Sequence, residues 1–120
     1  MNQITEIALF TNDVERLARF YERLLGVPPA AQSSNMAGFR IGVLQLLLHH
    51  KYPPDPQYAS GPDQLPNEDH VALGVAQVDS MCATLVEQGV TIDFAPRDYP
   101  WGRSAYLRDP DGRLIELEES

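Results

Sequence analysis

The sequence has little of what marks secreted, membrane-bound or nucleic-acid-binding proteins. Its single cysteine, Cys82, cannot form a disulfide within the chain, which favours a reducing cytoplasm. No apolar run approaches the roughly 20 residues that a membrane span needs, and the first residues lack the pattern of a signal peptide. Only 9 lysines and arginines accompany 17 acidic residues, and the net charge of -8 argues against nucleic acid or an anionic membrane as a partner. We therefore expect a soluble cytoplasmic protein.

What the sequence does have is enough apolar residues, 43% of 120, for one domain with a hydrophobic core. Residues 4–10 are β-prone and predict a first strand, with Ile7 and Leu9 on one face and Glu6 and Ala8 on the other. Asn12 or Asp13 is suited to cap a helix that ends at Gly26. Two short strands are predicted within residues 39–49.

The stretch between His50 and Asp69 contains five prolines and predicts neither a helix nor an inner strand. A loop of this length is usually a linker or a functional lid. After it the pattern predicts a strand at residues 70–75, a helix at about 79–88, a strand at 90–94 and a final hairpin, whose turn contains Pro110 and Gly112.

The second half of this pattern repeats the first. Residues 6–9 (Glu-Ile-Ala-Leu) align with residues 70–73 (His-Val-Ala-Leu), and each half predicts a strand, a helix and three strands. The chain is therefore predicted to be one domain, residues 1–120, of two βαβββ modules. Module one covers about residues 1–50, the proline-rich linker about 51–69 and module two about 70–120.

Alternation along the predicted strands places polar side chains on the sheet face that the helices leave open. Ile7 and Leu9 in module one and Ile115 and Leu117 in module two are suited to lie under the helices. The opposite faces carry four potential metal ligands: Glu6, Gln45, His70 and Glu116. If the open face curves into a cup, these four side chains converge.

The paired modules, the opening "IALFTNDVERLARFYERLLG", the second opening "DHVALGV" and the ending "PWGRSAYLRDPDGRLIELEE" resemble the vicinal oxygen chelate superfamily, which includes glyoxalases, bleomycin resistance proteins and extradiol dioxygenases. The resemblance implies an α+β fold in which two βαβββ modules form a cupped mixed sheet with the helices outside. It also implies a divalent metal and a small-molecule ligand with two oxygens on that metal. We expect a metal-dependent lyase or isomerase that assembles as a homodimer.

The resemblance assigns the metal ligands to Glu6, Gln45, His70 and Glu116. Glu6 and Glu116 are also the candidate catalytic carboxylates. A shift of two residues along the strand would put Leu47 or His49 in place of Gln45. Extradiol dioxygenases need two histidines and one carboxylate, so Glu6 disfavours that activity. The set suits Mn, Ni, Zn, Fe or Mg, although each residue is alternatively an ordinary polar strand residue.

Trp101, Arg103 and Tyr106 are the candidate substrate-binding residues. Trp101 offers apolar area near a loop, Arg103 offers a cation for an anionic group, and Tyr106 shares a strand face with Ser104. The alternative is a packed loop without a ligand. A second hypothesis for the whole protein is metal-free binding of small molecules, as in drug-sequestering resistance proteins. Arg103 or Arg108 would then offset the repulsion between the cup carboxylates.

Overall fold

The computed structural model describes residues 2–52 and 67–119, so most of the predicted proline-rich linker, residues 53–66, lies outside the described residues. The described chain divides into two compact units. We call residues 6–52 with 67–69 the N-terminal unit, and residues 2–5 with 70–119 the C-terminal unit. Neither helix in these parts of the chain has the length and apolar character of a membrane span.

The predicted α+β class is confirmed, because the elements follow the order βαβββ twice. The first set is β1 (Gln3–Thr11), α1 (Val14–Leu25), β2 (Ala31–Gln32), β3 (Met36–Ile41) and β4 (Leu44–His50). The second set is β5 (His70–Val75), α2 (Val78–Glu87), β6 (Ile92–Tyr99), β7 (Gly102–Arg108) and β8 (Leu114–Glu119).

Helix α1 begins and ends where its capping residues predict. The Asp13 carboxylate accepts a hydrogen bond from the Arg16 backbone N–H at 3.0 Å, which satisfies one of the unpaired donors of the first turn. Gly26 takes the left-handed conformation with φ of +75°, and its N–H donates to the Glu22 carbonyl at 2.9 Å. The polypeptide therefore leaves the helix at Gly26.

Strand β6 extends further than residues 90–94, where the sequence predicted a strand. It runs from Ile92 to Tyr99 although Pro96 lies inside it, since a strand at the edge of a sheet can accept a proline. Its pairing with β7 shifts register between Ile92 and Phe94 and again between Phe94 and Arg97. These irregularities are typical of β-bulges at a sheet edge.

Each unit contains a four-stranded sheet with one helix-covered face. The strand orders are β2-β3-β4-β1 in the N-terminal unit and β5-β8-β7-β6 in the C-terminal unit. Strands β1 and β4 are parallel, and so are β5 and β8. Leu46 and Leu48 pack with residues of α1, and Leu117 packs with residues of α2. The apolar strand faces therefore lie under the helices, as the sequence predicted.

Candidate functional site

The open face of the C-terminal unit carries a group of polar side chains. Ile115 and Leu117 of β8 pack towards α2, so alternation directs Leu114, Glu116 and Glu118 to the opposite face. Glu116 lies opposite Ala72 of β5 and opposite Tyr106 of β7. Side chains two positions apart on a strand lie on the same face. His70 of β5 and Ser104 of β7, each two residues before the partner of Glu116, therefore share the face of Glu116.

Two predicted ligands, His70 and Glu116, contact each other directly. The distance between His70 Nε2 and Glu116 Oε1 is 3.2 Å. The second carboxylate oxygen, Oε2, accepts a hydrogen bond from the Ser104 hydroxyl at 2.8 Å. Glu116 is only 3% exposed, and Ser104 is fully buried. A buried carboxylate is stable only with such partners, because an unpaired buried charge is costly.

The two donor atoms fit a divalent metal ion. Imidazole nitrogen and carboxylate oxygen bind zinc at about 2.0–2.2 Å, so two neighbouring ligands of one ion lie about 3.0–3.5 Å apart. The distance between His70 Nε2 and Glu116 Oε1 falls in this range. Nitrogen and oxygen donors together suit the borderline divalent ions. The same separation is that of a hydrogen bond between the two groups, so an ion held by both atoms would take the place of that hydrogen.

Aromatic rings border this pair. The Tyr106 ring makes edge-on contacts with His70, Phe94 and Tyr99, with centroid distances of 6.0–6.1 Å. The Trp101 ring is stacked on Tyr99, with 4.7 Å between centroids, and is 57% exposed. Burial raises the pKa of the Tyr99 hydroxyl; the nearby Arg97 charge opposes this change and the Glu116 charge adds to it. Trp101 and Tyr106, both predicted to bind substrate, thus lie in one aromatic cluster with His70.

The structure also places Glu118 at this face, a residue that was absent from the predicted site. One oxygen of Glu118 lies within 4.8 Å of one of Glu116, and Glu118 Oε1 accepts a hydrogen bond from the Thr5 hydroxyl at 2.6 Å. Ser104 is a second omission. The alternation of β8 contains the signal for Glu118, whereas only the pairing of β7 with β8 brings Ser104 to Glu116.

Arg103 lies on the other face of the same sheet. Its neighbours Ala105 and Leu107 belong to the core beneath α2, and its guanidinium donates to both carboxylate oxygens of Asp79 at 2.7 and 2.9 Å. A third hydrogen bond, 3.0 Å long, runs to Asp98. The structure therefore does not bring Arg103 together with Tyr106, and an anion would have to compete with two carboxylates for its guanidinium.

The remaining predicted ligands lie in the N-terminal unit. Glu6 of β1 and Gln45 of β4 are register partners on adjacent parallel strands. The next pair on the same face is Ala8 with Leu47, and the equivalent pair in the C-terminal unit is Ala72 with Glu116. By strand register, Leu47 rather than Gln45 is thus the counterpart of Glu116.

Comparison with known proteins establishes the family. The family model of the Glyoxalase/Bleomycin resistance protein/Dioxygenase superfamily matches residues 3–117. The chain belongs to this superfamily. The family resemblance inferred from the sequence motifs is therefore confirmed.

Several known proteins are similar to this chain along nearly its whole length. Virulence protein STM3117 of Salmonella typhimurium is 26% identical over 99% of this chain and 85% of its own length. A structure of Streptomyces coelicolor methylmalonyl-CoA epimerase, a variant in complex with 2-nitronate-propionyl-CoA, is 25% identical with a TM-score of 0.68, covering 98% of this chain and 96% of the other. A superfamily member from Vibrio splendidus, 12% identical, shares the fold with a TM-score of 0.71 and full coverage of both chains.

Proposed function

We propose that this glyoxalase-superfamily chain is a metal-dependent isomerase or lyase that moves a proton next to a carbonyl group of a small oxygen-bearing substrate. The main support is the contact between His70 Nε2 and the buried Glu116 carboxylate. An imidazole and a carboxylate at this distance, on neighbouring strands, offer two ligands for one divalent ion. The candidate ions are Mn, Ni, Zn, Fe and Mg.

The roles of the residues follow from their positions and chemistry. His70 and Glu116 would hold the ion through Nε2 and Oε1, the two atoms that face each other. A bound divalent ion would polarise the substrate carbonyl and lower the pKa of the adjacent C–H. Tyr106 and Trp101 would offer ring faces and edges to the apolar part of the substrate.

A carboxylate is the proposed acid–base group. Proton transfer to and from carbon needs a side chain that can accept and return a proton. Glu6 has this chemistry, and Glu116 is the second candidate. Glu6 is proposed to act either as this base or as a further metal ligand. Gln45 is proposed as a weaker, neutral ligand.

The epimerase relative supports a proton-transfer reaction. The methylmalonyl-CoA epimerase structure matches 98% of this chain, and a centre next to a thioester carbonyl can be inverted by removing its proton and returning one to the opposite face. We therefore use methylmalonyl-CoA as the first probe. The predicted result is metal-dependent incorporation of solvent deuterium next to the thioester carbonyl, detected by mass spectrometry.

The variants of this assay separate binding from chemistry. Glu6→Gln is expected to abolish deuterium incorporation with a smaller loss of metal binding, if Glu6 is the base. Glu116→Gln is expected to reduce both. Glu87 is exposed on α2 and away from the open face, so Glu87→Gln is the matched control and should leave both unchanged. Incorporation that persists after removal of every metal would contradict a metal-dependent reaction.

A second candidate function is metal-free binding of a small molecule. Leu47 favours it, because an apolar side chain occupies the position equivalent to Glu116 in the N-terminal unit. A thermal-shift screen of the metal-free protein against small molecules tests this candidate. Stabilisation by a ligand in the presence of a chelator would support sequestration over catalysis.

The proposed assembly is a two-fold homodimer, since closed two-fold dimers are the commonest oligomers. Exposed sheet edges also favour pairing with a second chain. Multi-angle light scattering at micromolar concentration should give twice the mass of one chain. A monomer under those conditions would contradict the proposed assembly.

A further inference from the structure

A continuous chain of hydrogen bonds connects the surface of the C-terminal unit to the buried carboxylate. The Trp101 indole Nε1–H donates to Ser104 Oγ at 3.3 Å. Ser104 in turn donates to Glu116 Oε2 at 2.8 Å, and Glu116 Oε1 lies 3.2 Å from His70 Nε2. Trp101 is exposed at one end of this chain, while Ser104 and Glu116 are buried.

The direction of these bonds is fixed by the groups themselves. An indole N–H can only donate, so Ser104 Oγ must be the acceptor of the Trp101 bond. A serine hydroxyl has one hydrogen, which is then left for Glu116 Oε2. This oxygen therefore acts as an acceptor. The indole thus orients the hydroxyl, and the hydroxyl orients the carboxylate.

The Ser104 bond makes the two oxygens of Glu116 inequivalent. The terminal torsion of a glutamate side chain is broad, so packing alone does not select one orientation of the carboxylate plane. With Oε2 bonded to Ser104, the other oxygen is directed at His70. Partners of this kind orient metal ligands in proteins, and their loss typically lowers metal affinity about 10- to 100-fold.

We infer that Ser104 is a positioning residue, which directs Glu116 Oε1 towards the ion-binding position beside His70, and that Trp101 orients the Ser104 hydroxyl. This inference rests on the proposed function, in which His70 and Glu116 hold the metal. It gives the Trp101 N–H a role inside the protein, in addition to the ring surface that Trp101 offers to a ligand.

Manganese binding tests the inference with three serine variants. Ser104→Ala removes the hydroxyl and should weaken Mn²⁺ binding at least about tenfold in isothermal titration calorimetry. Ser104→Thr retains a hydroxyl and should restore the affinity to within about threefold of the parent, a difference under 1 kcal/mol. Ser80 is exposed on α2, where its hydroxyl contacts Gln77, so Ser80→Ala is the matched control and should bind as the parent does. Parental affinity in a folded Ser104→Ala protein would overturn the inference.

A second measurement needs neither metal nor turnover. The sequence has one tryptophan, so a ¹H–¹⁵N spectrum of the metal-free protein has one indole resonance to follow. In the parent, Glu116→Gln should shift that resonance, because Ser104 hydrogen-bonds to both groups and transmits the change at position 116 to the indole N–H. It should have little effect on the resonance in a Ser104→Ala background. An equal shift in both backgrounds would overturn the inference, even if Ser104→Thr fails to fold.

The two measurements separate this inference from the proposed function. If the parent binds no divalent metal, the proposed function fails, whereas the indole resonance still reports whether Ser104 connects Trp101 to Glu116. If the parent binds Mn²⁺, but Ser104→Ala binds it equally well and Glu116→Gln shifts the indole resonance equally with and without Ser104→Ala, the positioning role fails while the metal site stands.

Discussion

Removing either member of the His70–Glu116 pair should weaken metal binding more than removing any other predicted ligand. The two donor atoms lie 3.2 Å apart, so each substitution removes one of two adjacent ligands. His70→Ala and Glu116→Gln should each lower the affinity for Mn²⁺ at least about tenfold, or about 1.4 kcal/mol. Gln45 offers a neutral amide oxygen, a weaker ligand, and Gln45→Ala should change affinity less than about threefold, which is under 1 kcal/mol.

The choice of glutamine at position 116 limits the damage to the fold. Glu116 is buried and accepts the Ser104 hydrogen bond, and a glutamine amide oxygen can still accept it. Alanine would leave that hydroxyl without its acceptor, a loss of about 1–3 kcal/mol of stability. Glutamine therefore isolates the loss of the ligand charge from the loss of a buried partner.

Isothermal titration calorimetry with Mn²⁺, together with thermal unfolding of each variant, measures this series. Glu87→Gln removes an exposed carboxylate of α2 and should bind like the parent. Glu6→Gln should fall between Gln45→Ala and the two strong-ligand variants. If Glu116→Gln binds Mn²⁺ as tightly as the parent while Gln45→Ala does not, the assignment of His70 and Glu116 as the principal ligands is wrong.

The remaining predictions concern stability. Phe39 is fully buried in the core beneath α1, whereas Phe20 of α1 is 56% exposed. In chemical denaturation, Phe39→Ala should lower the free energy of unfolding by about 3–5 kcal/mol, and Phe20→Ala should change it by less than about 0.5 kcal/mol; equal effects would contradict the assigned core. The side-chain hydrogen bond from Arg103 lowers the pKa of Asp79, so the bond stabilises the fold at neutral pH. This contribution to the free energy of unfolding should be lost as the pH falls below the ordinary pKa range of aspartate. Between pH 7 and pH 3 the free energy of unfolding of Arg103→Met should therefore fall less than that of the parent. An identical pH dependence in the two proteins would refute the stabilising role of the bond.

Much of the fold could be predicted because its signals are local. Asp13 and Gly26 mark the ends of α1 by their capping chemistry, and alternation in β8 assigns Glu116 to the open face. The repeat of one module in the other predicted three strands after each helix, although the sequence placed only two of them in module one, within residues 39–49; the third is β2, which has only two residues. Periodicity alone would have missed so short a strand.

What could not be predicted depends on contacts between distant parts of the chain. Ser104 joins Glu116 only through the register of β7 against β8. Arg103 suits an anion by its chemistry, but its hydrogen bonds to Asp79 follow from where α2 packs. Leu47 replaces Gln45 as the counterpart of Glu116 because sequence alignment does not fix the register of parallel strands. A one-dimensional pattern assigns faces, whereas cross-strand partners need the structure.

The most direct test of a metal-dependent function is the metal content of the protein itself. The chain should be purified without chelators, analysed for bound elements, and then titrated separately with Mn²⁺, Ni²⁺, Zn²⁺ and Fe²⁺. We predict saturable binding of at least one of these ions, and at least about tenfold weaker binding in the His70→Ala protein. Failure of all four ions to bind the folded parent would contradict it.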